Sequence, residues 1–182
     1  MNLPNKLSVA RVILVPVCIF FILFDKIPFN YLIALAVFGI ASFTDFLDGH
    51  IARSRHLVTN FGKFVDPLAD KLLVCSVLVC LIPIGVAPAV AVVIIIAREF
   101  AVSGLRIIAA EQKVVLAANI WGKIKTVSQI VVICVSLFCL EFLNTPLFIG
   151  ICSWLMWGIA AITIASGVTY FAANIDCLKT QN

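Results

Sequence analysis

The chain has 182 residues, of which 63% are hydrophobic and 12% are charged, and its formal net charge is +4. Its mean hydropathy is +1.18, which excludes a water-soluble single domain of this length. The composition therefore predicts an integral membrane protein, and we expect no nucleic-acid partner.

Hydrophobic runs separated by turn residues predict the transmembrane segments, since a helix needs about 20 apolar residues to cross the hydrocarbon. We expect six transmembrane helices, at about 9–24, 31–52, 64–83, 87–110, 123–143 and 147–172. The predicted fold is all-α and polytopic, and a short amphipathic interfacial segment precedes the first helix. The spans use nearly the whole chain, so we expect one domain over residues 1–182.

The basic residues predict the orientation in the membrane, because lysine and arginine favour the cytoplasmic side. With both termini in the cytoplasm, every one of the 13 lysines and arginines except Lys26 lies on that side or in the inner half of a helix. The opposite orientation would violate the rule badly. The aspartates at the end of the second predicted helix and the start of the third then lie at the cytoplasmic face.

The second predicted helix ends in a polar run that contains Asp45, Asp48, Gly49 and Arg53. Asp45 and Asp48 are neighbours on one helical face, with β-carbons about 5–6 Å apart. A mid-helix glycine costs about 1 kcal/mol relative to alanine, but Gly49 lets a bulky polar ligand approach the backbone. Arg53 carries a planar fork that suits phosphate oxygens.

The third predicted helix opens at Gly62 and carries Asp66 and Asp70 on one face. The polar connector over residues 54–60 is short, so the second and third helices should be antiparallel neighbours. Both acidic faces can then point into one cavity that is open to the cytoplasm.

Four carboxylates beside a bilayer need a compensating charge. Two divalent cations would supply it and would leave coordination positions for substrate oxygens. An oxygen-only ligand set favours Mg²⁺ or Mn²⁺ over zinc, and carboxylate-bound metal pairs are typical of phosphate chemistry. The alternative is an ion-paired helix end in which Arg53, Lys63 and Lys71 neutralise the aspartates.

The pattern D-x-x-D-G-x-x-A-R-x8-G-x-x-x-D-x-x-x-D, over residues 45–70, resembles the signature of the CDP-alcohol phosphatidyltransferase family. The sequences of residues 4–11, 97–106 and 122–129 are similar to the corresponding segments of the bacterial family members that make phosphatidylglycerol phosphate. This resemblance implies a homodimer in the bacterial inner (plasma) membrane, among membrane lipids. It also implies transfer of the phosphatidyl group from CDP-diacylglycerol to sn-glycerol 3-phosphate, with release of CMP.

The resemblance also implies roles for the aspartates. Asp45 and Asp66 would bridge two divalent cations, Mg²⁺ or Mn²⁺, while Asp48 completes one metal site and Asp70 the other. Asp70 would also be the catalytic general base, which takes the proton of the acceptor hydroxyl as that hydroxyl attacks the β-phosphate.

The CDP-diacylglycerol contacts implied by the resemblance involve two parts of the chain. Gly49, Arg53 and Thr59 match positions that contact the CDP headgroup. Ser8 and Arg11 would lie near the cytidine or its phosphates. The alternative for the segment that holds Ser8 and Arg11 is a simple interfacial anchor.

The phosphate of the acceptor should require further cations. Arg98 and Arg106 lie near one face of the fourth helix, and Lys123 and Lys125 open the fifth. Cations at inner helix ends also serve as membrane anchors. Arg98 follows an apolar run and precedes Glu99, which predicts a fixed ionic contact. We expect Arg98, Arg106 and Lys125, and with them Lys123, to bind the acceptor phosphate.

Three alternatives remain open at this point. The same family could use another alcohol, as in cardiolipin or inositol phosphate synthesis, although the cations argue against free serine. A cation or proton transporter would place carboxylates near the bilayer midplane on broken helices, often in repeated halves, whereas these lie at one interface. A structural membrane subunit would need no aspartate chemistry.

Overall fold

The computed structural model describes the backbone of residues 3–55, 71–111 and 120–174, and the side chains of residues 9–44, 71–109 and 120–174. All regular secondary structure in these ranges is helical, which confirms the all-α prediction. Six helices are present there: α1 Leu3–Leu23, α2 Asn30–Arg55, α3 with its described part over Lys71–Cys80, α4 Ala89–Glu111, α5 Ile120–Phe142 and α6 Pro146–Asn174.

Each helix falls on one predicted span, and the helix ends that the structure describes lie within about three residues of the prediction except at the start of α1. Helix α1 begins at Leu3, so the predicted interfacial segment and the first span form one continuous helix. Helix α3 ends at Cys80, and turns follow over residues 81–87. Gly85 has a φ of 84° in these turns, a backbone conformation that glycine adopts without steric cost.

One apolar core joins the helices. Helix α1 packs on α2, α2 on α5, α5 on α6, and α6 on α4. Small residues with an exposed fraction of 0 to 1%, Ala34, Ala91 and Ala160, let the helix backbones approach closely. Leu73, Val77 and Leu78 of α3 belong to the same core. The packing therefore holds all six described helices in one bundle.

A carboxylate fixes the start of α2 against the end of α5. The backbone N–H groups of Tyr31 and Leu32 donate to Glu141 Oε2 at 3.1 and 3.3 Å. The first amides of a helix have no intrahelical acceptor, and a carboxylate is favourable at that end of the helix dipole. Asn30 Nδ2 also donates to the Phe21 carbonyl at 3.1 Å, which ties α2 to α1.

The outer surface of the bundle is apolar. Leu147 and Trp154 have exposed fractions of 70% and 78%. Within the described residues, α5 and α6 are long and apolar enough to cross a membrane by length and composition. Val9–Leu23, Asn30–Thr44 and Lys71–Cys80 are apolar but shorter. Helix α4 carries Arg98, Glu99 and Arg106 along its length.

Candidate active site

The first half of the acidic motif lies on α2, which is uninterrupted over Asn30–Arg55. The helix continues through Asp45 and Asp48, so the two residues lie on one face, with Gly49 beside them. This confirms the predicted helical placement of Asp45, Asp48, Gly49 and Arg53. The side chains from Asp45 onward lie outside the described residues.

The second half of the motif lies outside the described residues altogether, and this half includes Thr59, Asp66 and Asp70. Among the described residues there is no group of three or more histidine, cysteine, aspartate or glutamate side chains that could hold a metal ion. The candidate metal ligands of the motif are all aspartate carboxylates, and helix α2 places the first two, Asp45 and Asp48, on one face. Carboxylate oxygens are suitable ligands for a hard divalent cation.

An ionic cluster connects α4 and α5 around Glu99. Glu99 Oε1 is 3.1 Å from Arg98 Nη1 and also forms an ion pair with Lys125 Nζ. Exposed side-chain fractions are 13% for Arg98, 16% for Glu99 and 3% for Lys125. Charges this far from water need partners, so one carboxylate holds both cations in place. The fixed ionic contact predicted for Arg98 is confirmed.

Helix α6 supplies polar partners to both arginines of α4. Arg98 Nη2 donates to Ser166 Oγ at 2.7 Å, and a Cβ at Gly167 would lie 3.2 Å from Arg98 Cγ. Arg106 Nε donates to Tyr170 Oη at 3.2 Å, with its guanidinium carbon 5.5 Å from the ring centroid. The two guanidinium groups are therefore positioned by one face of α6.

A small cavity opens between α3, α4 and α5 beside the Glu99 cluster. Lys71 borders it, and Lys71 directly follows Asp70 in the chain. Lys71 Nζ also donates to Ser103 Oγ, and Ser103 Oγ donates to the Glu99 carbonyl at 2.6 Å. The residues that line the cavity are Lys71, Val74, Cys75, Glu99, Lys125, Thr126 and Gln129.

The structure thus separates the four cations predicted for the acceptor phosphate. Arg98 and Lys125 meet at Glu99, and Lys125 lines the cavity. Arg106 is exposed and contacts Tyr170 instead. Lys123 is exposed and does not line the cavity. Of the two residues predicted near the cytidine, Arg11 is 1% exposed on α1, and the Ser8 side chain lies outside the described residues.

Several polar contacts of the predicted cations were not predicted from the sequence. The sequence predicts that Glu99 pairs with Arg98, but its contact with Lys125 depends on how α4 and α5 pack. Ser166 and Tyr170 lie in a helix whose sequence indicates little beyond hydrophobicity. Thr163, Ser166 and Tyr170 follow one another at helical spacing in that apolar run, and this pattern could have revealed a polar face.

Comparison with known proteins places these features in a family. The model of the CDP-alcohol phosphatidyltransferase family matches residues 1–169. The chain is 43% identical to a protein of Bacillus subtilis, over 100% of this chain and 99% of that protein. It is 37% identical to one of Rickettsia bellii, over 94% of each, and 36% identical to one of Pseudomonas fluorescens, over 100% of this chain and 94% of that protein. All three are named CDP-diacylglycerol–glycerol-3-phosphate 3-phosphatidyltransferase.

Proposed function

Because the chain belongs to the CDP-alcohol phosphatidyltransferase family, we propose that it transfers the phosphatidyl group of CDP-diacylglycerol to sn-glycerol 3-phosphate. The products are phosphatidylglycerol phosphate and CMP. The observation that carries this proposal is the similarity, along the whole chain, to enzymes named for this reaction. The cation-lined cavity gives independent support for a phosphorylated acceptor.

The charges around the cavity favour a phosphate ester. Lys71 and Lys125 line it with two formal positive charges, and Glu99 lines it with one negative charge. Arg98 lies behind this lining and pairs with Glu99, which brings the charge of the four side chains together to +2. A phosphate monoester carries about −1.5 to −2 at pH 7. Free serine offers no such group, so the cluster supports glycerol 3-phosphate over an unphosphorylated alcohol.

In the acceptor site, Arg98 and Lys125 bind the phosphate from the Glu99 cluster. Arg106 lies about two turns further along α4, is positioned by its hydrogen bond to Tyr170, and also binds the acceptor phosphate. Lys123 is exposed, and its charge attracts the anionic acceptor from solution.

The acidic motif acts on the donor substrate, CDP-diacylglycerol. Asp45, Asp48, Asp66 and Asp70 hold two divalent cations, Mg²⁺ or Mn²⁺. When bound, the cations supply positive charge to the diphosphate, where charge develops as CMP leaves. Asp70 is the general base, because the acceptor hydroxyl must lose its proton as the new bond to phosphorus forms.

The remaining residues of the motif hold the nucleotide. Gly49 leaves room for the CDP headgroup beside the α2 backbone. Arg53 and Thr59 donate hydrogen bonds to it. Ser8 and Arg11 at the start of α1 lie near the cytidine or its phosphates.

The chain is a membrane protein, and we propose that all six helices cross the bilayer as one domain in the bacterial inner membrane. Both termini and the active site face the cytoplasm, and two copies form a homodimer.

An impermeant thiol reagent added from outside should label Lys26→Cys in a variant without other cysteines. Labelling only after the membrane is opened would reverse the orientation. Cross-linking of the protein in the membrane tests the homodimer, because it should yield a species with twice the mass of one chain.

An acceptor panel tests the function. We expect purified protein with radiolabelled CDP-diacylglycerol and Mg²⁺ or Mn²⁺ to convert sn-glycerol 3-phosphate at least about 100-fold faster than phosphatidylglycerol, serine or inositol phosphate. A chelator should abolish turnover, and added metal should restore it. Preference for another alcohol would point to the runner-up within the family. No lipid product with any acceptor would favour a transporter or a structural subunit.

A further inference from the structure

Gln129 forms a buried polar position at the cavity that the proposed function does not use. It lies on α5 one helical turn after Lys125, so the two side chains share a face. Gln129 is 2% exposed and lines the cavity. Its Nε2 has no hydrogen-bond partner among the described residues.

A buried donor without an acceptor costs free energy, so such groups in folded proteins have a structural or functional reason. Lys71 and Lys125 line the same cavity, and their ammonium groups donate hydrogen bonds but cannot accept them. The Glu99 carboxylate also lines the cavity, but it pairs with Arg98 and Lys125 and accepts no hydrogen bond from Gln129. The amide therefore has no acceptor among the described residues, and the two ammonium groups favour an anionic oxygen supplied by a ligand.

We propose that the Gln129 side-chain amide donates a hydrogen bond to a phosphate oxygen of the acceptor and forms the inner end of its binding site. This inference rests on the proposed function, because it takes the phosphorylated acceptor as the ligand. Lys125 supplies charge to the phosphate, while Gln129 supplies a neutral, directional donor one turn further along α5. Such a donor discriminates by geometry, since a group that cannot accept the bond leaves it unpaired again.

Gln129→Met tests the proposal, because methionine keeps an unbranched side chain of similar length without the donor. A hydrogen bond to a charged group contributes about 1.5–3 kcal/mol, so we expect the KM for sn-glycerol 3-phosphate to rise about 10- to 100-fold. The inhibition constant of inorganic phosphate, used as a competitor, should rise by a similar factor. The KM for CDP-diacylglycerol and the kcat should change less than about threefold.

Thermal unfolding in detergent separates this role from a structural one. Gln129→Met removes an unpaired buried donor, so the melting temperature without ligand should stay the same or rise. The rise in melting temperature caused by inorganic phosphate should shrink. Ser136→Ala is the matched control, because Ser136 is buried on the same helix and does not line the cavity; it should leave both KM values and the phosphate response unchanged.

The possible results distinguish the two proposals. Wild-type protein that fails to use sn-glycerol 3-phosphate refutes the proposed function. Normal wild-type turnover with an unchanged acceptor KM in Gln129→Met refutes only the role of Gln129. A raised acceptor KM with an unchanged phosphate inhibition constant also overturns it, because the amide would then contact a hydroxyl oxygen. A larger effect on the KM for CDP-diacylglycerol would assign Gln129 to the other substrate.

Discussion

Asp70→Asn should lower the turnover number by about 10²- to 10⁴-fold, the range that a positioned general base contributes. Asparagine keeps the size of the side chain but cannot take a proton from the acceptor hydroxyl. It also weakens the proposed metal site, since it removes one anionic ligand. The next residue in the chain, Lys71, lines the proposed acceptor cavity. A base that takes a proton from the acceptor hydroxyl has to lie near that cavity.

The measurement is CMP release at saturating concentrations of both substrates. Asp25→Asn is the matched control, because it makes the same chemical change in the predicted external loop; its turnover should stay within about twofold of wild type. Melting temperatures of both variants show whether the fold is intact. Asp70→Asn activity within about threefold of wild type would rule out Asp70 as the base.

The architecture could be predicted because hydrophobic runs and turn residues are local features of the sequence. All six described helices fall on predicted spans. The predicted start of the first helix was less accurate, because polar residues there indicated a break between two segments. The polar start of the chain, with Asn5 and Lys6, indicated a separate interfacial segment, yet α1 continues through it from Leu3. Pro4 lies in the first turn of the helix, where a missing amide hydrogen is tolerated, and no glycine or proline follows it until Pro16.

The candidate site was predictable only to the extent that its residues are close in sequence. Asp45 and Asp48 share one helix, and Arg98 and Glu99 are adjacent, so spacing alone predicts their proximity. The contact of Glu99 with Lys125 and that of Arg98 with Ser166 join different helices. Such pairs depend on the rotation and depth of each helix in the bundle, which the pattern of one helix does not fix.

Glu99→Gln should be the most destabilising of the substitutions in the α4–α5 cluster. It leaves Lys125, with 3% of its side chain exposed, beside Arg98 without the carboxylate that pairs with both. Removal of one partner from a buried ion pair costs about 3–5 kcal/mol. We therefore expect a clear fall in the melting temperature, measured without substrate.

The double variant Glu99→Gln with Lys125→Met separates folding from binding. It removes both members of the buried pair, so most of the lost stability should return. Acceptor binding should not return, because the Lys125 ammonium is gone; the KM for sn-glycerol 3-phosphate should stay raised about 10- to 100-fold. The KM for CDP-diacylglycerol should change little. Recovery of both stability and acceptor affinity would show that Lys125 serves only to balance Glu99.

Arg106→Ala provides the comparison that completes this test. Arg106 is exposed, and its contacts are with a neutral partner, Tyr170, so its loss leaves no buried charge unpaired. We expect a higher KM for sn-glycerol 3-phosphate, a nearly unchanged KM for CDP-diacylglycerol and a small change in melting temperature. Equal increases in both KM values would remove Arg106 from the acceptor site. Loss of Arg106 should thus change acceptor affinity with little effect on stability, whereas the Glu99–Lys125 pair contributes to both, because only that pair contains a buried cation.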